Sequence, residues 1–181
     1  MKKIIIGFTG EMGCGKDTAT DYIFQKYGGK KFKFSQVLRD ILSRIFIESS
    51  RENLQALSTN LRQTFGQDIL AKIMKNDLDM LNENIVLIDG IRRKEDIVFL
   101  GEMPEFKLIY IESTLENRYS RILNRGENSD DLDKTFGQFL LDQDLETEVT
   151  IRGLKEISDY IITNNGTLEE LYAQIEKILS I

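Results

Sequence analysis

Gly10-Glu11-Met12-Gly13-Cys14-Gly15-Lys16-Asp17-Thr18 is the stretch that decides the fold. An apolar run over residues 3–9 leads into it, and a helical pattern over 17–27 leads out. Gly10, Gly15 and Lys16 stand at the spacing of a phosphate-binding loop. Glycines let such a loop turn tightly, so that its N–H groups converge on phosphate oxygens. The following helix adds the positive end of its dipole. Lys16 has the reach for β- and γ-phosphates. The next residue is Asp17, where the strict pattern has Ser or Thr. The hydroxyl for Mg²⁺ is therefore assigned to Thr18. Asp17 is read as an outer partner of the metal or as a favourable anion in a first helical turn. Cys14 is read as a small filler in the loop, with a reactive thiol as the alternative.

The rest of the chain repeats the alternation that the loop begins. Residues 84–89, 106–111 and 158–163 read as further buried strands, and 31–34 as a shorter fifth. Near-continuous apolar runs such as Ile85-Val86-Leu87-Ile88 suit strands covered on both faces, hence a parallel sheet. Helical patterns cover 35–47, 51–65, 68–81, 113–124 and 135–146. Ser113 with Glu116, and Thr167 with Glu170, have capping-box spacing at two helix starts. Leu168, Leu171, Tyr172, Ile175, Ile178 and Leu179 form a core-facing stripe on the last helix. The expected fold is α/β: a three-layer α/β/α P-loop NTPase fold with a doubly wound, five-stranded parallel sheet. One domain is expected over residues 1–181. Ligands of such sheets sit beyond the carboxyl ends of the strands.

Composition removes several chemistries. The 181 residues include no histidine and one cysteine, Cys14. A Ser-His-Asp triad, a Cys-His dyad, a histidine base and an intramolecular disulfide are all excluded. The net charge of −6 disfavours a nucleic-acid coat but leaves room for a local basic pocket. Lys2 and Lys3 before Ile4-Ile5-Ile6 faintly mimic a signal peptide, but the apolar run stops too soon at Gly7, Thr9 and Gly10. No stretch approaches a membrane span. A cytosolic protein with small-molecule partners is expected, with no membrane or nucleic-acid partner, and a homodimer is compatible with the sequence.

Charged residues at strand ends carry the remaining chemistry. Asp89 ends the strand after Ile88, where a magnesium-associated carboxylate sits in phosphoryl-transfer proteins of this type. The alternative is an Asp capping the next turn. Arg92 and Arg93 follow at once and suit bidentate phosphate binding. Arg118, Arg121 and Arg125 share one helix face, ahead of the polar segment 126–133. Residues 118–134 therefore read as a lid whose arginines neutralise a transferring phosphoryl group. The alternative is a solvated face whose arginines pair with Glu116 and Asp130. Arg39 lies one turn into the helix that begins at Ser35. Phe46 and Phe65 are read as core residues, with base stacking as the alternative.

These residues resemble a family. Gly15-Lys16-Asp17-Thr18 is similar to the Gly-Lys-x-Thr loop of nucleoside monophosphate kinases. The stretch continuing through Ala19-Thr20-Asp21-Tyr22-Ile23 looks like the loop and first helix of phage-type deoxynucleoside monophosphate kinases. So does Arg51-x-x-Leu54-Gln55-x-Leu57-x-Thr59-x-x-Arg62-x-x-x-Gly66. Ile88-Asp89-Gly90-Ile91-Arg92 and Asp159-Tyr160-Ile161-Ile162-x-Asn164-x-Gly166 look more like dephospho-coenzyme A kinases and their archaeal relatives. The resemblance implies that Gly10, Gly13, Cys14, Gly15, Lys16, Asp17 and Thr18 hold ATP phosphates and Mg²⁺. It puts Asn165 and Gly166 beside the donor base, and Asp89 near the metal or the acceptor. Arg39, Arg62, Arg92 and Arg93 would bind the acceptor phosphate from a helical subdomain over 35–81 and from the Asp89 loop. Arg118, Arg121 and Arg125 would act from the lid.

The implied activity is ATP- and Mg²⁺-dependent transfer of a phosphoryl group to a small phosphorylated acceptor, a (deoxy)nucleoside monophosphate first. Dephospho-coenzyme A kinase and an adenylate kinase-like enzyme are the near alternatives. A regulatory nucleotide switch or a DNA-directed kinase are alternatives of another class. The guanine-reading Asn-Lys-x-Asp motif of GTP switches does not occur.

Overall fold

The computed structural model describes residues 3–125, 135–143 and 146–179 of the chain. Five strands, β1 (Ile4–Thr9), β2 (Lys30–Lys33), β3 (Ile85–Asp89), β4 (Phe106–Glu112) and β5 (Tyr160–Thr163), form one sheet in the order β2-β3-β1-β4-β5. Every pairing is parallel. The register brings Gly7 beside Ile88 and Leu108, and Lys33 beside Asp89. The loop that follows β1 thus leaves the middle of the sheet, at the edge where parallel strands all end.

Among the described residues eight α-helices accompany the strands: α1 (Lys16–Tyr27), α2 (Phe34–Arg44), α3 (Arg51–Phe65), α4 (Ile69–Asp79), α5 (Leu115–Arg125), α6 (Phe136–Asp142), α7 (Glu146–Arg152) and α8 (Leu168–Leu179). The core divides into two layers because central strands bury both faces. Ile6, Phe8, Leu87 and Ile109 pack with Ala19 and Ile23 of α1 and Leu171 and Ile175 of α8. Ile5, Val86, Ile88 and Leu108 pack with Leu38 of α2 and Leu70, Met74 and Leu78 of α4. Each of the larger side chains, fully buried, contributes about 1.5–3 kcal/mol before entropy is counted. The sheet, its five parallel strands and its flanking helix layers are those expected from the sequence.

Several local expectations change. The helix expected over 35–47 stops at Arg44, and Phe46 takes a left-handed backbone with φ 58°. Phe46 is 96% exposed and Phe65 61% exposed, so neither is the core residue it was read as. Apolar side chains that leave the periodic face at a helix end have no layer to enter. Ser113 does not cap α5. The Thr114 hydroxyl accepts from Asn117 N instead, at 3.4 Å, and frees Ser113 for other partners. Of the helix expected over 135–146, α6 covers Phe136–Asp142, and α7 begins at Glu146. The box at the last helix forms as spaced: Thr167 N donates to Glu170 Oε2 at 3.0 Å, and Glu170 N donates to the Thr167 hydroxyl at 3.3 Å. Among the described residues no helix is long and apolar enough to cross a membrane.

Candidate phosphate-binding site

The loop between β1 and α1 is shaped by residues without side chains. Gly13 has φ +78° and Gly15 φ +104°, a region that L side chains rarely enter. Space forbids side chains as well: a Cβ on Gly13 would stand 2.6 Å from Arg118 O, and one on Gly15 would collide with the Asn164 amide. Lys16 Nζ curls back over the loop, donating to Gly10 O at 2.7 Å and Glu11 O at 3.3 Å. Its ammonium also lies 3.7 Å from Cys14 Sγ. Cys14 is fully buried, and burial pushes its thiol up despite the neighbouring Lys16. That environment fits the filler reading, because the reactive form is the thiolate.

Groups from the far half of the chain hold the loop in place. Asn164, at the end of β5, donates through Nδ2 to Cys14 O at 2.8 Å. Arg121 donates to Asn164 O at 2.8 Å and to the Ser113 hydroxyl at 3.0 Å. Partial burial lowers the Arg121 pKa from its ordinary value. Arg118 is only 4% exposed and donates to Gln143 Oε1 at 2.7 Å. Its other terminal nitrogen faces the Glu11 carboxylate at 3.5 Å, and the guanidinium lies over the Phe139 ring. Arg152 of α7 reaches the same Glu11 carboxylate at 2.9 Å. Arg118 and Arg121 therefore form neither a solvated face nor pairs with Glu116. They brace the phosphate loop against β5, α6 and α7. Arg125 ends α5; its side chain, the lid segment 126–134 and Asp130 lie outside the described residues.

On the other side of the loop, Asp17 and Asp89 both approach the Lys33 ammonium. Lys33 Nζ is 3.4 Å from Asp17 Oδ1 and 3.5 Å from Asp89 Oδ2. Asp89 also accepts from Gly90 N at 2.8 Å, so it serves its own turn as well as the pocket. These groups line a pocket of about 470 Å³. The position after Lys16 thus looks toward Asp89. The Asp17 and Asp89 carboxylates and the Thr18 hydroxyl are hard oxygen donors of the kind Mg²⁺ takes.

The acceptor-side candidates separate into two groups. Arg39 is exposed and, among the described residues, reaches Ser49 O at 3.5 Å. Arg92 is exposed and Arg93 half-buried. Gly90 abuts the first residue of α2, so the Asp89 loop runs beside the helix that carries Arg39. Arg62 differs. It is 6% exposed and pairs with buried Asp96 at 2.6 Å, and it also donates to Gln67 O. An arginine so committed does not offer its guanidinium to an acceptor phosphate. Asn165 lies exposed beside the start of α5, accepting from Ser113 Oγ at 3.0 Å and Thr114 N at 2.8 Å. Gly166, next to it, has no room for a Cβ against the Glu170 carboxylate.

Sequence reading missed Lys33, Glu11, Asp96, Gln143 and Arg152. Lys33 had a usable signal, the carboxyl end of a strand, but the strand was drawn one residue too late, over 31–34 instead of Lys30–Lys33. The others act through contacts between elements distant in the chain, which no local spacing reports.

The family whose model matches this chain is described as an AAA domain, and the match covers residues 9–136. The chain belongs to this AAA-domain family. The matched span begins at the end of β1, takes in the whole glycine loop and ends at the start of α6. The chain is also similar to a UPF0200 protein of Sulfurisphaera tokodaii, 30% identical over 97% of this chain and 95% of that protein. A UPF0200 protein of Thermococcus kodakarensis is 28% identical over 97% and 96%. Among solved structures, shikimate kinase from Bacteroides thetaiotaomicron superposes with a TM-score of 0.53 at 15% identity, over 98% of this chain and 96% of that one. At that identity the likeness speaks for the fold. This AAA-domain chain has the five-stranded parallel P-loop architecture that kinases also use.

Proposed function

We propose that this chain is a kinase that moves the γ-phosphoryl group of ATP to a small phosphorylated acceptor, with a (deoxy)nucleoside monophosphate as the first candidate. The observation that carries the reading is the glycine loop with Lys16 folded over it, flanked on one side by the Asp17–Lys33–Asp89 cluster. Backbone N–H groups and one ammonium converge where polyphosphate oxygens would lie. Asp17, Thr18 and Asp89 would hold Mg²⁺. The ion, when bound, neutralises charge on the transferring phosphoryl group and its neighbours.

The chain's own residues supply position and charge. Lys16 would leave Gly10 O for the β- and γ-phosphates. Arg118 and Arg121 keep the loop in register by bracing Glu11 and Asn164. Arg39 and Arg92 are exposed on adjoining elements and would grip the acceptor's phosphate. A phosphate acceptor attacks through an oxygen that is already ionised at neutral pH. Such a reaction needs no protein base, which suits a chain without histidine. The kinase fold of the structural neighbour and the resemblance to nucleotide kinases support the same reading.

Turnover of ATP measured against a panel of acceptors tests it. The panel holds nucleoside and deoxynucleoside monophosphates, dephospho-coenzyme A, shikimate and an oligonucleotide. Phosphorylation of a nucleoside monophosphate is expected. Turnover only on dephospho-coenzyme A would replace the acceptor, and failure to bind ATP would remove the kinase reading.

A further inference from the structure

Lys33 stands where two elements bring carboxylates together. The β2–β3 register sets it directly beside Asp89, at the carboxyl edge of the sheet. The first turn of α1 brings Asp17 to the other side of its ammonium. The neighbouring Lys31 has a carboxylate of its own, Asp21 at 2.7 Å, while Lys33 faces the inner pair. The ammonium stands within 3.5 Å of both carboxylates.

We infer that Lys33 is an intrinsic competitor of the divalent cation: its ammonium and a metal ion contend for the same two carboxylates, Asp17 and Asp89. The inference rests on the reading of these residues as the metal side of a kinase. The physical basis is charge. With Lys33 the three groups sum to one negative charge; without it they sum to two. A bare divalent ion must displace an ammonium whose distances to the pair are 3.4 and 3.5 Å. An ion that arrives with polyphosphate brings further oxygen ligands and has less need of both carboxylates. Lys33 therefore discriminates against free metal and in favour of the metal–nucleotide complex. It acts through Asp17 and Asp89, as a positioning residue.

The test is a titration of the full chain with Mn²⁺ alone, followed by the loss of the free-ion electron paramagnetic resonance signal. Lys33→Met should bind Mn²⁺ about tenfold more tightly than the parent, and Lys33→Arg, which keeps the charge, should remain near the parent. Adding Asp89→Asn to Lys33→Met should abolish the gain. A Lys33→Met protein that binds Mn²⁺ no more tightly than the parent overturns the inference, as does a gain that survives Asp89→Asn. The readout needs no turnover. A gain in a chain that never binds ATP would leave the competition standing and remove the kinase. ATP turnover by the parent with no gain in Lys33→Met would do the reverse.

Discussion

Arg62 and Asp96 form a buried ion pair, 2.6 Å between Nη2 and Oδ1, that joins α3 to the loop after β3. The other carboxylate oxygen of Asp96 accepts the backbone N–H groups of Arg92 and Arg93, at 2.9 and 3.1 Å. One guanidinium thereby sets the course of the loop that carries two others. Breaking such a pair leaves an uncompensated buried charge, which costs about 3–5 kcal/mol. Arg62→Met should lower the stability of the chain by about that amount, read from urea unfolding. Replacing both residues should cost less than the two single changes together. A variant within about 1 kcal/mol of the parent would return Arg62 to the list of free phosphate ligands.

Lys16→Ala should abolish phosphoryl transfer while leaving the fold intact. Among the described residues Lys16 Nζ bonds to Gly10 O, Glu11 O and Cys14 Sγ of its own loop, so the folding energy at stake is that of about one hydrogen bond. The expected loss in kcat is at least about a hundredfold, the scale of removing one preorganised charge. Turnover within a few-fold of the parent, in a protein with unchanged thermal midpoint, would exclude Lys16 from the reaction.

Asn164→Ala removes a side chain that ties the loop carbonyl of Cys14 to the end of β5 and accepts from Arg121. ATP affinity should fall by about tenfold, which is the worth of one well-made hydrogen bond near a charged site. Gly15→Ala should be worse, since the added methyl meets Asn164 at a backbone φ of +104°. Equilibrium binding of ATP reads both. Equal affinity for parent and Asn164→Ala would mean that the loop holds its shape unaided.

Arg39→Ala and Arg92→Ala should raise KM for the acceptor by about tenfold or more and change KM for ATP little. Both side chains are exposed, so their removal should leave stability within about 0.5 kcal/mol of the parent. Equal effects on both substrates would assign these arginines to the donor.

Acid stability should depend on Glu176. Hydrogen bonds from Tyr22, Tyr27 and Lys26 hold its carboxyl down to about 2, from an ordinary 4.5. A carboxylate with a lowered folded-state pKa adds stability above its unfolded value and loses it as pH falls through the folded one. The thermal midpoint of the parent should therefore exceed that of Glu176→Gln at neutral pH. The difference should shrink between pH 4.5 and pH 2. A difference independent of pH would assign the effect to packing of α8 on α1.

Sequence reading reached far into the fold and only partly into the site. The five strands were legible because buried parallel strands are short, apolar and bounded by polar turns, as Ile85–Asp89 is. The phosphate loop was legible because its chemistry needs glycine and lysine at fixed intervals along one continuous stretch. Arg62 was misread, since a guanidinium has the same sequence signature whether it meets a ligand or a buried Asp96. Arg118 was read as a lid residue, with a solvated face as the alternative, because helical spacing shows which residues share a face and not what covers it.

By itself the sequence determined the three-layer fold class, the position of the loop at the carboxyl end of the first strand, and the class of chemistry open to a chain without histidine. Those properties follow from local periodicity and composition. The tertiary structure alone decided which charges are spent inside the protein and which face the cleft. Lys33 beside Asp89, Asn164 against Cys14 and Asp96 under Arg92 are neighbours across strands or helices far apart in the chain. Charge acts through space, and only folding sets those distances.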